Sequence, residues 1–215
     1  MNLNGKFISF EGIDGCGKST QAKILSDELT THGKKVLLTR EPGGSKGAEE
    51  IRNLLLTGET DRWSAETEIL LFTAARRDHL ERTILPALEI GSTVICDRFS
   101  DSTRVYQGVT RGDLRDVVDQ LDKTMIPRQP DITVLVDLDP KIGLARALMR
   151  SDNEARFEEF GLEMQIRLRE GFLTLANEFP KRFIVVDGNR NESAVARDIS
   201  TVSYTHLTLP TTSKV

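Results

Sequence analysis

The sequence predicts an α/β fold in three layers, a parallel five-stranded sheet flanked by helices. Three observations support this prediction. Five short apolar runs alternate with longer amphipathic stretches, which is the pattern of βαβ units. The first run leads into a glycine-rich loop and then a helix. The length of 215 residues suits one domain, with room for a small mobile lid.

The strands are predicted from short apolar or β-branched runs bounded by turn residues. They cover Lys6–Phe10, Lys35–Thr39, Thr93–Cys96, Ile132–Asp137 and Arg182–Val186. Because ligands of parallel sheets bind at the carboxyl ends of the strands, chemistry is expected in the loops that follow them.

The helices are predicted from apolar residues at helical spacing. They cover Lys18–His32, Lys46–Leu56, Ala65–Ile90 with a possible kink at Pro86, Leu114–Met125, Lys141–Arg150, Arg156–Glu178 and Glu192–Ile199. Residues 201–215 show no helical period and are rich in Ser and Thr, so we interpret them as a disordered or non-native tail behind a domain of residues 1–200.

Composition excludes several classes of protein. Charged residues make up 29% and the net charge is −4 without a long basic run, which disfavours nucleic-acid binding. No apolar run approaches membrane-spanning length and the first residues lack a signal-peptide core. Two cysteines do not make a disulfide framework. We therefore expect a cytoplasmic protein without a membrane partner.

The loop after the first strand has the spacing G-x-x-x-x-G-K-S, at Gly12 to Ser19. Glycines let backbone N–H groups converge on a phosphate, and the following helix adds its positive end. Lys18 supplies a charge for the β- and γ-phosphates of a nucleotide, and Ser19 a hydroxyl for Mg²⁺. The predicted ATP-binding residues here are Gly12, Ile13, Asp14, Gly15, Cys16, Gly17, Lys18, Ser19 and Thr20. We interpret Cys16 as a small filler of the loop, not as a reactive thiol.

Arginines and a carboxylate follow the next strands. Arg40 comes directly after the second strand, and a guanidinium is suited to bidentate phosphate contact. Asp97 and Arg98 follow the third strand, where Asp97 is placed to hold Mg²⁺ with Ser19. Asp137, at the end of the fourth strand, is the competing metal carboxylate. Asp97 is preferred because Arg98 beside it completes a phosphate site.

Five separated motifs resemble those of the bacterial thymidylate kinase family, between about Lys6 and Asp187. They are Phe-Glu-Gly-Ile-Asp-Gly at 10–15, Thr-Arg-Glu-Pro-Gly-Gly at 39–44, Leu-Phe-Thr-Ala-Ala-Arg at 71–76, Asp-Arg-Phe at 97–99 and Tyr-Gln-Gly at 106–108. The resemblance implies a P-loop nucleoside monophosphate kinase fold. It also implies transfer of phosphate from ATP to dTMP with Mg²⁺, and a homodimer.

The resemblance implies roles for individual residues of the acceptor site. Asp14 binds the sugar 3′-hydroxyl, Phe72 stacks on thymine and Arg76 donates to its carbonyl edge. Tyr106 lies under the sugar and leaves no room for a 2′-hydroxyl. The implied dTMP-binding set is Asp14, Arg40, Phe72, Arg76, Arg98, Thr103, Tyr106 and Gln107. Glu41 is expected to orient Arg40.

A lid is expected at about 146–157, where arginines follow the fourth strand. Arg146 and Arg150 are assigned to ATP and Arg156 to catalysis, although a solvated basic helix face explains the first two about equally well. The implied catalytic set is Lys18, Arg98, Arg156 and Asp14. Two rival hypotheses remain: a P-loop kinase with another nucleotide or nucleoside acceptor, and a P-loop NTPase switch without an acceptor.

Overall fold

The computed structural model describes residues 5–59, 62–109, 112–149 and 161–208. Over these residues five strands form one parallel sheet in the order β2-β3-β1-β4-β5. The strands are β1 Phe7–Glu11, β2 Val36–Arg40, β3 Thr93–Asp97, β4 Ile132–Asp137 and β5 Phe183–Asp187. Each lies within one residue of its predicted bounds, and the predicted fold class is confirmed.

Helices connect the strands and cover both faces of the sheet. Their bounds are α1 Lys18–Thr31, α2 Lys46–Leu56, α3 Ala65–His79, α4 Leu85–Glu89, α5 Ser100–Thr103, α6 Arg115–Met125, α7 Pro140–Leu148, α8 Gly161–Glu178 and α9 Glu192–Thr208. Two π-helical segments, Leu80–Ile84 and Arg104–Val109, join α3 to α4 and continue α5. None of the described helices has the length and apolar character needed to cross a bilayer.

Alternating side chains of β1 divide the core into two parts. Ile8 and Phe10 lie in the larger cluster, which includes Leu25 of α1 and Phe172 of α8. Phe7 lies in the smaller cluster on the other face, where its ring meets the edge of Phe99 at 4.9 Å between centroids. With β1 buried at the centre of the sheet, the loop that follows it is held between packed layers.

The predicted helix Ala65–Ile90 is interrupted in the structure. A π-helical segment covers Leu80–Ile84, in which the N–H of Leu85 donates to the carbonyl of Leu80, five residues earlier. Pro86 follows directly, and proline both lacks an N–H donor and crowds the carbonyl four residues before it. The wider turn absorbs this conflict, so the kink predicted at Pro86 takes the form of a π-helical segment ahead of it.

Residues 100–109 form a helical segment that the sequence did not predict. Buried ion pairs hold this segment in place: Arg104 Nη1 donates to Asp101 at 2.9 Å and Nη2 to Asp122 at 2.6 Å. Arg182 pairs with Asp101 from the side of β5 at 2.5 Å. These contacts fix the side chains that follow, Tyr106 and Gln107, at the carboxyl end of the sheet.

The chain's end also differs from expectation. The last helix, α9, continues past Ile199 to Thr208, although the sequence shows no helical period there. Residues 209–215 of the predicted tail lie outside the described residues. For α8 the described part begins at Gly161, so the predicted start at Arg156 falls in the undescribed segment.

Candidate active site

The predicted phosphate loop lies between β1 and α1, at the centre of the sheet's carboxyl edge. Gly12 and Gly15 have φ values of 138° and 75°, in the region that favours glycine. A Cβ at Gly15 would lie 2.2 Å from the carbonyl oxygen of Gly143, so no other residue fits there. Lys18, which begins α1, is buried and donates from Nζ to the carbonyl of Ile13 at 2.9 Å. The loop context expected of a nucleotide-binding motif is present.

A cavity of about 200 Å³ connects this loop to the ends of β2 and β3. Its lining is mostly polar. The lining residues are Asp14, Gly15, Gly17, Lys18, Ser19, Arg40, Glu41, Arg52, Asp97 and Arg98. The cavity therefore joins the predicted donor side to the predicted acceptor side. Arg52, from α2, was not among the predicted residues.

Arg98 is the most connected side chain of the cavity. Its guanidinium donates to Asp14 at 2.5 Å, to Ser102 at 2.9 Å and to the Tyr106 hydroxyl at 3.2 Å. The Tyr106 hydroxyl in turn donates to the other oxygen of Asp14 at 2.7 Å. The backbone of Arg98 has a φ of 69°, which is unusual for a residue with a side chain. Three of the predicted acceptor residues thus form one hydrogen-bonded group.

The charges of this group determine its protonation. Burial acts to raise the pKa of Asp14, but Arg98 and Lys18, with the Tyr106 hydrogen bond, lower it below its ordinary value. Burial also raises the pKa of Tyr106 well above its usual range, so the phenol keeps its proton. At neutral pH Asp14 is an anion and Tyr106 a donor to it.

Glu11 lies beneath this group and was overlooked in the sequence. Its carboxylate accepts from the backbone N–H of Phe99 at 2.7 Å and from the Ser102 hydroxyl at 2.6 Å. Burial, and then the nearby Asp101, raise its pKa from 4.5 to about 7, against the opposing charge of Arg98. A glutamate directly after a largely apolar strand was the signal available in the sequence.

Ser19 and Asp97, the predicted metal ligands, lie together. The Ser19 hydroxyl donates to Asp97 Oδ2, while Oδ1 is buried with no hydrogen-bond partner among the described residues. Asp137, the competitor, is occupied: Arg169 donates to its two oxygens at 2.6 and 2.8 Å. An unpaired carboxylate oxygen beside a hydroxyl fits a hard cation such as Mg²⁺.

Arg76 lies on the side away from the phosphate loop. Its Nε donates to Glu41 at 2.7 Å and its Nη2 to Thr103 at 2.9 Å, and all three residues are buried. The expectation that Glu41 orients Arg40 is wrong, because Glu41 pairs with Arg76 and, at 3.1 Å, with His79. Arg40 is exposed and approaches Glu49 at 3.4 Å. Glu41 thus holds Arg76 and His79 in place, not Arg40.

Glu41, His79 and Cys96 place potential metal-ligand atoms within 4.8 Å of one another. The cationic Arg76 already neutralises Glu41, and His79 is bonded at both ring nitrogens, to Glu41 and at 2.8 Å to Thr39. The Cys96 thiol donates to the carbonyl of Arg98 at 3.0 Å, so all three side chains are engaged. We therefore interpret this group as a hydrogen-bonded cluster, not as a metal site.

Some of the remaining predicted residues lie among the described residues, and others lie outside them. Phe72 is half-buried on α3, and Gln107 is buried with its amide nitrogen 3.1 Å from Glu68. Arg146 is exposed in the last turn of α7. Arg150 and Arg156, with most of the predicted lid, lie outside the described residues.

Comparison with known proteins gives a consistent result. The family model described as thymidylate kinase matches residues 10–199. The thymidylate kinase of Ruegeria pomeroyi is 63% identical, over 96% of this chain and 98% of the relative. That of Dinoroseobacter shibae is 60% identical, over 97% and 99%. The crystal structure of thymidylate kinase from Ehrlichia chaffeensis superposes with a TM-score of 0.76 at 35% identity, covering 93% of this chain and 98% of that one.

Proposed function

The chain belongs to the thymidylate kinase family, and we propose that it transfers the γ-phosphate of ATP to dTMP, giving dTDP and ADP for dTTP synthesis. One observation carries the proposal. The phosphate loop, Asp14 and Arg98 line one cavity, and Tyr106 is hydrogen-bonded to both of these side chains, which supports a site where two phosphate-bearing ligands meet end to end. A protein that only hydrolyses NTP has no use for the second half of this site.

On the donor side, the backbone of residues 12–17 and the start of α1 hold the phosphates of ATP. Lys18 adds the fixed charge that the β- and γ-phosphates require, and Thr20 extends the loop's contacts into α1. Arg146 of α7 and Arg150 complete the donor site from the lid.

On the acceptor side, Arg40 and Arg98 hold the phosphate of dTMP, and Arg52 lines the same cavity from α2. Asp14 accepts the 3′-hydroxyl of the sugar, supported by its low pKa and its anchoring to Arg98 and Tyr106. The base lies toward α3, against Phe72, with Arg76, Thr103 and Gln107 around its edge.

The transfer is a direct displacement. A phosphate oxygen of dTMP forms the new bond to the γ-phosphorus while the bond to the β–γ bridging oxygen breaks, and ADP leaves with that electron pair. No general base is needed, because a phosphate monoester with a second pKa near 6 is largely dianionic at neutral pH. Lys18 and Arg98 stabilise the charge that spreads over the transferred group, and Arg156 of the lid adds to them.

Ser19 and Asp97 are the proposed ligands of Mg²⁺. The two side chains are in contact, and Asp97 has a buried oxygen that no other described residue bonds, which suits an ion or its bound water. When bound, the ion supplies charge neutralisation at the phosphates of ATP. Ser19 and Asp97 would be the side chains that hold it.

The partners proposed are small molecules, ATP and dTMP, together with a second copy of the chain. Nucleotide synthesis implies a cytoplasmic location, and the net charge of −4 gives no support for nucleic acid as a partner. Exposed apolar residues on α2, α3 and α6 support a homodimer through these helices: Leu54, Leu70, Val117 and Met125.

A substrate panel tests the activity. With ATP as donor, we expect dTMP to be phosphorylated at least tenfold more efficiently, as kcat/KM, than dUMP, CMP, AMP or thymidine. Preference for another acceptor would support a different P-loop kinase. ATP hydrolysis that no acceptor stimulates would support a switch.

Lys18→Ala serves as the test of the site itself. Removing one charge aimed at the transferred phosphate is expected to lower kcat at least a hundredfold while the melting temperature stays within a few degrees. Lys23→Ala is the matched control, because Lys23 lies on the same helix with an exposed pairing to Asp27. Near-normal turnover in Lys18→Ala would refute the assignment of the loop.

A further inference from the structure

Glu68 is a buried carboxylate that lies next to the residues proposed to contact the base. Its side chain has 0% exposure, and Oε2 accepts a hydrogen bond from Gln107 Nε2 at 3.1 Å. Gln107 is itself 1% exposed. The Glu68 side chain thus lies where α3 meets the π-helical segment Arg104–Val109.

Glu68, Phe72 and Arg76 are spaced four residues apart on α3 and therefore share one face of the helix. At one end of this face Glu68 bonds Gln107, and at the other Arg76 bonds Thr103 at 2.9 Å. Both contacts tie α3 to the segment of residues 100–109. The ring of Phe72 lies between the two ties, where the base is proposed to stack.

The chemistry of the Glu68 contact is one-sided. The side-chain amide of glutamine has a donating nitrogen and an accepting oxygen, and either can face a neighbour. An ionised carboxylate only accepts, and Glu68 lies in the first turn of α3, where the helix dipole stabilises a negative charge. The Gln107 nitrogen must therefore face Glu68, which turns its oxygen away from that carboxylate.

Arg76 is held in a similar way. Glu41 and Thr103 accept from its Nε and Nη2, and Nη1 makes no hydrogen bond to the described residues. Arg76 and Gln107 thus present different groups to a bound base: Arg76 presents a hydrogen-bond donor and Gln107 an acceptor. A pyrimidine with a carbonyl next to a ring N–H matches this pair, whereas cytosine offers an amino group and an unprotonated nitrogen instead.

We propose that Glu68 determines specificity as a positioning residue: by fixing the orientation of the Gln107 amide, it makes the pocket accept thymine or uracil and reject cytosine. This inference rests on the proposed function. It assigns discrimination between bases to a carboxylate that does not touch the substrate.

Glu68→Gln tests the inference. The new amide can accept from Gln107 or donate to it, so Gln107 is free to present either group to the base. We expect the ratio of kcat/KM for dTMP over that for dCMP to fall about tenfold, mainly through a lower KM for dCMP. Equal losses for both substrates, or an unchanged ratio, would overturn the inference.

Two controls separate specificity from a structural effect. Glu66→Gln removes the same charge from the same helical turn at an exposed position, and the ratio should not change. In a Gln107→Leu background, Glu68→Gln should change the ratio no further, because the amide it orients is gone. A second fall of similar size there would contradict the role. Failure of the wild-type enzyme to phosphorylate dTMP would instead refute the proposed function.

Discussion

At the scale of single residues, the centre of the site combines two carboxyl groups whose pKa values move in opposite directions. Asp14 is held below its ordinary pKa by Arg98 and Lys18, although burial opposes this. The pKa of Glu11 is raised to about 7, because burial and the negative charge of Asp101 outweigh the positive charge of Arg98. The Arg98 guanidinium lies near both groups but contacts Asp14 directly, and together with Lys18 and Tyr106 it keeps Asp14 ionised.

Glu11 predicts a pH dependence of stability. Its folded pKa of about 7 lies above the unfolded value of 4.5, so its contribution is fully present below pH 4.5 and is lost as pH rises through 7. Glu11→Gln resembles the protonated form at every pH. Relative to this variant, the wild type should lose about 3 kcal/mol of unfolding free energy between pH 4.5 and 8.

Denaturant unfolding of both proteins across this range measures the difference, in which all other titrating groups cancel. Asp14 works in the opposite sense, since its lowered pKa stabilises the fold at higher pH and that contribution is lost in acid. Parallel pH profiles for wild type and Glu11→Gln would show that Glu11 does not carry the raised pKa.

The sequence predicts which residues form the site better than it predicts which side chains they pair with. The spacing of the phosphate loop and the arginines after the strands identify Lys18 and Arg98 directly. The pairing of Glu41 with Arg76 and His79 joins residues 35 and 38 positions apart. Such pairing depends on how α3 lies against the end of β2, which no local pattern contains.

At the scale of elements, strands are predicted closely and helical irregularities are not. Each strand here is a short run that its own apolar and β-branched residues are enough to predict. The π-helical segment Leu80–Ile84 is instead a response to Pro86, and the helix over 100–103 is stabilised by distant ion pairs such as Arg182–Asp101. Both depend on context that a sequence window does not hold.

The junction of β3 and α5 shows how an element positions the site. Arg98 has a φ of 69°, and its N–H donates to the carbonyl of Phe10 at 2.9 Å, which turns the side chain toward Asp14. Residues with a Cβ are strained in this region and glycine is not. Arg98→Gly should therefore be more stable than Arg98→Ala by about 1 kcal/mol, with both nearly inactive.

The comparison of these two variants isolates the backbone, because both lose the same side-chain contacts. Chemical denaturation gives their stabilities, and a dTMP kinase assay their activities. The same two substitutions at Arg167, which is exposed within α8, provide the control. There the alanine variant should be the more stable one, by about 1 kcal/mol, because glycine is unfavourable inside a helix. An Arg98→Ala variant as stable as Arg98→Gly would exclude strain at this junction.

At the scale of the whole molecule, the sheet order explains why residues far apart in sequence form one site. β1 lies between β3 and β4, and β2 adjoins β3, so the loops after β1, β2 and β3 meet at one edge. The alternation of strands and helices predicts a parallel sheet, and the motifs predict which loops matter. Neither gives the order of the strands, which is determined by packing between layers.

The two faces of α3 lead to a final prediction about assembly. Glu68, Phe72 and Arg76 face the site, while Leu70, about half a turn away, is 58% exposed. α2 and α6 pack beside α3 and expose Leu54, Val117 and Met125. Neighbouring exposed apolar residues on packed helices are typical of an interface.

We expect light scattering to show a dimer for the wild type and a monomer for Leu70→Glu, because a carboxylate at the centre of an apolar interface loses its hydration without a partner. Ile90→Glu is the control: Ile90 is 70% exposed but lies just before β3, at the amino end of the sheet. A wild-type monomer at micromolar concentration would exclude the dimer, and a Leu70→Glu dimer would move the interface away from α3. Since Phe72 and Arg76, which are proposed to contact the base, lie on the other face of α3, loss of the dimer should also raise the KM for dTMP.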